Sequence, residues 1–150
     1  MTKILFLCHG NICRSPMAEF IMKDLVKKAH RESEFVIDSA AVSYEEEGNG
    51  IYPPAKRKMQ EHHIPFDNHR AHRISASEID DYDIVIIMDK SNYRILSRIA
   101  RSDQMAKVHM LMEYPGFSRD VDDPWYSGDF EQAYQDILLG CTKLLESLEN

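Results

Sequence analysis

Four short segments of the chain are continuously apolar or β-branched, and stretches with helical spacing separate them. Unbroken hydrophobicity is typical of strands that are covered on both faces, as in a parallel sheet. We therefore predict four strands, which run from Ile4 to Cys8, from Phe35 to Ile37 and on into Ser39, from Ile84 to Met88, and from Val108 to Met112.

Helical periodicity fills the segments between these strands. After Arg14, apolar residues recur in one continuous stripe, and Ser15 followed by Pro16 is typical of an N-cap and a first turn. Further helices are predicted from Pro53 to about His62, from Ser91 to Ala100, and from about Phe130 to Leu148. This alternation predicts an α/β fold, a doubly wound three-layer sandwich with a central four-stranded parallel sheet.

Composition and charge limit the classes of partner. With 150 residues the chain is long enough for one core, and we expect residues 1–150 to form a single domain. Its net charge of −7 provides no basic field for nucleic acid, and no apolar stretch has the length of a membrane span. Three unequally spaced cysteines do not indicate a disulfide framework, so we expect a cytoplasmic, reducing compartment.

The eight residues C-H-G-N-I-C-R-S, from Cys8 to Ser15, join the first predicted strand to the first helix. In doubly wound folds, ligands bind beyond the carboxyl ends of the strands. A strand-to-helix loop directs backbone N–H groups and the positive end of the helix dipole to one point, and Gly10 and Asn11 tolerate the left-handed backbone of a tight loop. Arg14 adds a planar fork of donors that matches phosphate oxygens. Because the same field favours the thiolate of Cys8, the loop predicts phosphoryl transfer through a cysteinyl-phosphate.

Other interpretations of these cysteines fit less well. A structural zinc site needs about four ligands, whereas Cys13 follows Cys8 by five residues and Cys141 lies on the apolar stripe of the last helix. The C-x-x-C spacing of a redox pair is absent. A buried strand-end thiol is the commonest fate of a free cysteine, but C-x5-R-S at this junction favours the phosphate loop.

The segment L-C-H-G-N-I-C-R-S-P-M-A-E resembles the N-terminal signature of the low-molecular-weight protein tyrosine phosphatases, and the resemblance extends over nearly the whole chain. The segments similar to the family's second strand, third strand with its turn, and acid loop are Val36 to Ser43, Tyr82 to Asn92, and Asp122 to Tyr126. The resemblance implies hydrolysis of phosphotyrosine and small aryl phosphates, with phosphotyrosyl proteins as partners and no cofactor or metal. We further expect a monomer or a weak dimer.

The segment D-D-P-W-Y contains the candidate proton donor for the leaving phenolate. Proline fixes the backbone after Asp123, and Trp125 and Tyr126 can pack on a substrate ring. The resemblance assigns Asp123 as general acid and then as base for the hydrolytic water. Asp122 is the neighbouring alternative.

The resemblance also implies a set of residues that support the loop. Asn11 is expected to be held in its strained conformation by Ser39 and His69, although His72 in H-R-A-H-R competes with His69 for that role. Asp89 is a further candidate for supporting the loop.

Two residues of the loop itself have alternative roles. Ser15 could donate a hydrogen bond to the sulfur of Cys8 and help it leave in the second step. Cys13 matches the family's second loop cysteine, which can form a reversible disulfide with the nucleophile under oxidation. It could equally be a small residue that packs behind the loop.

The walls of the cleft depart from the family's pattern. Tyr44 is shifted by one position from the aromatic that usually borders the cleft, and the acidic run Glu45 to Glu47 would favour substrates with basic neighbours if it flanks the cleft. His9 is less typical than an aliphatic residue. We expect phosphate binding or loop support from His9, Gly10, Asn11, Ile12, Cys13, Ser15, Ser39 and His69, and a cleft wall from Tyr44, Trp125 and Tyr126.

Three related activities are alternatives. Protein-arginine phosphatases usually carry threonine where this chain has Ile12, so phosphotyrosine is favoured. Arsenate reductases share the fold and the loop but pass oxidation to further late cysteines, and Cys141 is the only late thiol here. Cysteine phosphocarrier domains need neither the loop arginine nor an Asp-Pro acid, and this chain has both.

Overall fold

The computed structural model describes residues 1–148 and contains one parallel four-stranded sheet in the order β2-β1-β3-β4. The strands are β1 (Thr2–Cys8), β2 (Phe35–Ala41), β3 (Ile84–Ile87) and β4 (Val108–Met110). The predicted doubly wound α/β fold is confirmed. None of the helices in this described part of the chain is long and apolar enough to cross a membrane.

Helices of very unequal length connect the strands and follow the last one. They are α1 (Arg14–Lys28), α2 (Pro53–Glu61), α3 (Ala76–Ile79), α4 (Lys90–Leu96), α5 (Ser102–Met105), α6 (Pro124–Ser127) and α7 (Phe130–Ser147). The periodicity predicted the longer ones. It did not predict α3, α5 and α6, because four residues form a single turn and show no repeat.

The core lies on both faces of the sheet, which explains the unbroken apolar strands. Successive side chains of a strand point to opposite faces. Accordingly, Ile4 and Phe6 pack in the cluster that contains α1, α2 and α7, whereas Leu5 and Leu7 pack with residues of α3 and α4. All four side chains are fully buried or nearly so.

Several predicted boundaries were wrong, among them the end of the helix expected to reach Ala100, which stops at Leu96. The fourth strand ends at Met110, and Leu111–Glu113 forms a 3₁₀ turn instead. Helix α1 begins at Arg14, with Cys13 as its N-cap residue, so Ser15 lies inside the first turn and its hydroxyl is not a cap. That hydroxyl is instead directed toward Cys8.

The topology brings one loop to a switch point of the sheet. From β1 the chain pairs first with β2 on one side, and later with β3 on the other side. A crevice opens where neighbouring connections leave in opposite directions, and ligands of such folds bind there. The loop from Cys8 to Ser15 begins at the carboxyl end of β1, at this crevice.

Candidate active site

A cavity of about 130 Å³ lies at the carboxyl end of β1. Residues from three separate parts of the chain form it: the loop after β1, the acidic run after β2, and the loop before α7. Its lining residues are Cys8, His9, Gly10, Ile12, Cys13, Arg14, Glu45, Glu46, Asp123, Trp125 and Tyr126.

The sulfur of Cys8 lies among several hydrogen-bond donors. The backbone N–H groups of Asn11 and Ser15 donate to Sγ at 3.3 and 3.4 Å, and Ser15 Oγ lies 3.0 Å away. Donors around a sulfur stabilise its thiolate form, which is the nucleophilic form. The local fold of the loop therefore places the sulfur of Cys8 at the cavity with hydrogen-bond donors around it.

Arg14 is the buried cation of the cavity. Only 2% of it is exposed, and its Nη1 donates to Asp89 Oδ2 at 2.7 Å and to the carbonyl of Val121 at 2.8 Å. Burial opposes its charge, but the neighbouring Cys8, Asp89 and Asp123 outweigh burial and raise the pKa of Arg14 above its usual value. The guanidinium is thus held in place and charged, and Nη2 faces Asp123 at 3.5 Å.

The structure separates the two candidate acids. Asp123 is half-buried, lines the cavity, and accepts a hydrogen bond from the backbone N–H of Trp125 at 3.0 Å through Oδ1. Its other oxygen, Oδ2, is directed toward Arg14. Asp122 is exposed and is not among the residues that line the cavity. Proline at the start of α6 fixes the backbone immediately after Asp123.

Asn11 is the residue of the loop with a left-handed backbone. Its φ is 60° and its side chain is fully buried, with Nδ2 donating to Ser15 Oγ at 2.8 Å and to Ser39 Oγ at 3.0 Å. Of the two residue types that tolerate this backbone, only Asn11 adopts it, since Gly10 is not among the residues with positive φ. Gly10 is small for another reason: a Cβ there would lie 3.2 Å from Cγ of Glu46.

A group of polar side chains holds Asn11 from behind. His69 Nε2 lies 2.9 Å from Asn11 Oδ1, and Ser39 Oγ donates to Glu19 Oε1 at 2.6 Å. Glu19 Oε1 also lies 3.8 Å from His69 Nδ1, which is too long for a hydrogen bond. The side chain of His72 is instead paired with Glu78, and only its backbone N–H contacts Asn11 Oδ1, at 3.3 Å.

The other two cysteines are both buried thiols. Burial, and then the charges of Cys8 and Asp123, raise the pKa of Cys13 well above its ordinary value. Cys13 is therefore a neutral thiol in the same loop as Cys8. Cys141 lies fully buried in α7, where burial raises its pKa as well, and its Sγ contacts the carbonyl of Ala18.

The aromatic wall of the cavity is built from α6. Trp125 is about half exposed at the rim, and Tyr126 is largely exposed there. Tyr52, the residue before α2, supports Trp125 from outside the cavity lining, because the two ring centroids are 4.7 Å apart and the N–H of Tyr52 donates to the carbonyl of Ile12. Tyr44 does not line this cavity. The guanidinium carbon of Arg73 lies over its ring, 4.6 Å from the ring centroid.

Comparison with known proteins agrees with this geometry. The sequence model described as low molecular weight phosphotyrosine protein phosphatase matches residues 3–150. The chain belongs to this family. Membership makes it an enzyme of the protein tyrosine phosphatase class.

Several relatives span the whole of this phosphatase. It is 37% identical to the low molecular weight protein-tyrosine-phosphatase YfkJ of Bacillus subtilis over 99% of this chain and 97% of that protein. The human low molecular weight phosphotyrosine protein phosphatase is 38% identical over 95% of this chain and 93% of that one. The crystal structure of YfkJ has a TM-score of 0.94 over 99% of this chain and 94% of that chain. The structure of a Drosophila arginine phosphatase, at 31% identity, has a TM-score of 0.87 over 99% of both chains.

Sequence reasoning missed two residues around the site of this phosphatase. Glu19 stood in the signature segment but had no assigned role, although its side chain, 6% exposed, joins Ser39 to His69. The available indication was its position in the sequence, since Glu19 directly follows Ala18 of the apolar helix stripe and a carboxylate there needs a polar partner. Nothing in the sequence distinguished Tyr52 from the six other tyrosines.

One cluster of possible metal ligands lies away from the cavity. Within residues 1–148, the one group that could supply three metal ligands is Glu61, His62 and Glu131, none of which lines the cavity. There the ammonium of Lys58 already lies 2.6 Å from Glu61 and 3.0 Å from Glu131. The cavity itself contains the buried guanidinium of Arg14.

Proposed function

We propose that this protein hydrolyses phosphotyrosine in proteins, and small aryl phosphates, through a cysteinyl-phosphate on Cys8. One observation carries the proposal: the sulfur of Cys8, with donors from Asn11 and Ser15, lines the same small cavity as Arg14 and Asp123. Nucleophile, phosphate-binding cation and proton donor are the three groups that such a reaction needs.

In the first step, the thiolate of Cys8 attacks phosphorus and the bond to the phenolic oxygen breaks. Asp123, in its protonated form, gives a proton to that oxygen, so tyrosine leaves as the neutral phenol. Arg14 donates hydrogen bonds to the equatorial oxygens as their charge is redistributed in the transition state. Backbone N–H groups of the loop supply further donors at the start of α1.

In the second step, water attacks phosphorus and the bond to sulfur breaks. Asp123, now a carboxylate, accepts the proton from that water, and inorganic phosphate is released. The sulfur leaves as a thiolate with Ser15 Oγ at 3.0 Å. The cycle returns both Cys8 and Asp123 to their starting protonation states without a cofactor.

The aromatic rim supports tyrosine as the substrate side chain. Trp125 and Tyr126 offer ring faces at the mouth of the cavity, and Ile12 provides an apolar surface inside it. A phenyl ring between such surfaces is stabilised by apolar burial and by offset stacking. We expect phosphotyrosyl proteins in a reducing, cytoplasmic compartment as the substrates.

The alternatives lack comparable support. Arsenate reduction needs a second accessible thiol late in the chain, but Cys141 is fully buried in α7. A phosphocarrier does not need a proton donor such as Asp123 next to the arginine Arg14. Phosphoarginine is the closer rival because the fold is shared with an arginine phosphatase, and it is therefore included in the test.

The test is hydrolysis of para-nitrophenyl phosphate and of matched phosphotyrosine, phosphoarginine and phosphoserine peptides by the wild type and Cys8→Ser. We expect turnover of the aryl phosphate and the phosphotyrosine peptide, and loss of both in Cys8→Ser. If kcat/KM were higher on the phosphoarginine peptide than on the phosphotyrosine peptide, phosphoarginine would replace phosphotyrosine as the proposed substrate. Stoichiometric phosphate uptake without release would indicate a carrier and overturn the proposal.

A further inference from the structure

The acidic run after β2 borders the cavity, but its three carboxylates have different surroundings. Glu45 and Glu46 line the cavity, and Glu47 does not. Glu45 Oε2 lies 2.9 Å from Nε2 of His9 at the exposed rim. Glu47 faces the other way: its Oε2 accepts from the backbone N–H of Arg73 at 2.8 Å.

Glu46 is the carboxylate held firmly against the phosphate loop. It is half-buried, its Cγ lies against Gly10, and its Oε2 accepts a hydrogen bond from Asn49 Nδ2 at 2.6 Å. Among the described residues, no cation forms an ion pair with it. Its carboxylate is therefore held by Asn49 at the edge of the cavity and has no ion-pair partner within residues 1–148.

The charge in the cavity thus differs between its inner end and its rim. At the inner end lies the guanidinium of Arg14, 2% exposed, and at the rim lie Glu45 and Glu46. A phosphotyrosine places its phosphate at the inner end, so the peptide that carries it passes the rim. A flanking carboxylate on that peptide is repelled there, and a flanking ammonium or guanidinium is attracted.

We propose that Glu46, assisted by Glu45, selects phosphotyrosyl substrates with a lysine or arginine next to the phosphotyrosine. This inference rests on the proposed phosphatase activity and adds the sequence class of its substrate. Glu46 would act as a specificity-determining residue that contacts the substrate's basic side chain, not as a group in the chemical steps. The unpaired charge and the fixed orientation are what distinguish it from Glu45 and Glu47.

The size of the expected effect follows from the exposure of the rim. One exposed ion pair changes binding by up to about fivefold. With attraction on one peptide and repulsion on the other, we expect the wild type to favour a lysine-flanked over a glutamate-flanked phosphotyrosine by about tenfold at low ionic strength. Near 1 M salt the Debye length falls to about 3 Å, so the preference should nearly disappear.

The experiment measures kcat/KM on three phosphotyrosine peptides that differ only in having Lys, Gln or Glu on both sides of the phosphotyrosine. Glu46→Gln keeps the acceptor for Asn49 and should lower the Lys-to-Glu ratio by about threefold, whereas Glu46→Lys should invert the order. Glu47→Gln removes the same charge one position away, outside the cavity, and should retain the wild-type ratio.

The outcomes separate this inference from the phosphatase activity itself. Para-nitrophenyl phosphate, which has no flanking residues, reports whether each variant still folds and turns over. A wild type that hydrolyses all three peptides equally overturns the inference and leaves the phosphatase activity standing. Equal loss of preference in Glu46→Gln and Glu47→Gln also overturns it, because the overall charge would then be responsible. A wild type inactive on every aryl phosphate overturns the proposed function instead.

Discussion

Ser15 Oγ lies 3.0 Å from the sulfur of Cys8 and, at the same time, accepts a hydrogen bond from Asn11 Nδ2 at 2.8 Å. The single proton of the hydroxyl has two acceptors within reach, the sulfur of Cys8 and, at 3.4 Å, the carbonyl of Ala40. The sulfur is the nearer of the two, and Ser15 connects Cys8 to the buried polar residues behind the loop.

Replacement of Ser15 by alanine should slow the second chemical step most. A hydrogen bond to a charged group contributes about 1.5–3 kcal/mol, and this one is strongest when Cys8 leaves as a thiolate. We expect kcat to fall by about 10- to 100-fold, with a burst of para-nitrophenol followed by a slow steady state. Rapid-mixing kinetics measure both phases.

Ser97→Ala is the control for this prediction, since its hydroxyl donates to the carbonyl of Arg94 on the exposed surface of α4. It should show wild-type kinetics. If Ser15→Ala also turns over at the wild-type rate without a burst, the hydroxyl does not assist the departure of sulfur.

Asp123→Asn should reduce turnover according to the basicity of the leaving group. A general acid contributes about 10²- to 10⁴-fold, and a poor leaving group such as phenol depends on it more than para-nitrophenol does. Asparagine can still cap α6 in place of Asp123, so the fold should be retained. The ratio of kcat on phenyl phosphate to kcat on para-nitrophenyl phosphate is the measurement.

The neighbouring acid provides the matched comparison. Asp122→Asn removes the same charge from an exposed position that does not line the cavity. Its leaving-group ratio should equal that of the wild type. A larger change in Asp122→Asn than in Asp123→Asn would assign the proton transfer to the other residue.

His69→Ala should weaken phosphate binding without removing a group that contacts substrate. It deletes the side-chain partner of Asn11 Oδ1 and leaves only the backbone N–H of His72 on that oxygen. Loss of one such hydrogen bond costs about 0.5–1.5 kcal/mol, which is about 2- to 10-fold in the inhibition constant of inorganic phosphate.

His72→Ala is the control variant, because the ring of His72 is paired with Glu78 and the backbone N–H remains. It should keep the wild-type inhibition constant. An equal effect of both substitutions would show that the loop is not held specifically through the side chain of His69.

Local patterns in the sequence predicted those parts of the fold and site that depend on short stretches of chain. The position of Cys8 at a strand end and Arg14 at a helix start follows from hydrophobicity and residue type alone. For Ser15 the sequence predicted two roles, a hydrogen bond to the sulfur of Cys8 and a helix cap, since a serine at a helix start is ordinarily a cap; only the contact with the sulfur is present. Its hydroxyl has a different partner because the loop closes around the sulfur.

Contacts between distant segments account for what the sequence could not show. Tyr52, which precedes α2, supports Trp125 of α6 only because the fold brings these distant segments together. Tyr44 is adjacent to the acidic run in sequence, yet Arg73 holds its ring away from the cleft. Long-range packing, not local propensity, decides which of these aromatic side chains borders the site.

Cys13 should protect the nucleophile from irreversible oxidation. Peroxide oxidises the thiolate of Cys8 to a sulfenic acid, with release of hydroxide. The neutral thiol of Cys13, in the same loop, can then attack that sulfur to form a disulfide with loss of water. A thiol reductant returns both cysteines to their starting state, whereas further oxidation of an unprotected sulfenic acid is irreversible.

The prediction compares Cys13→Ser with the wild type after peroxide treatment followed by dithiothreitol. We expect the wild type to regain most of its para-nitrophenyl phosphatase activity and the variant to regain far less. Cys141→Ser is the control, because that thiol is fully buried in α7, and it should recover like the wild type. Equal recovery in Cys13→Ser and the wild type would leave Cys13 as a residue that only packs behind the loop, beside Ile12 and Ala71.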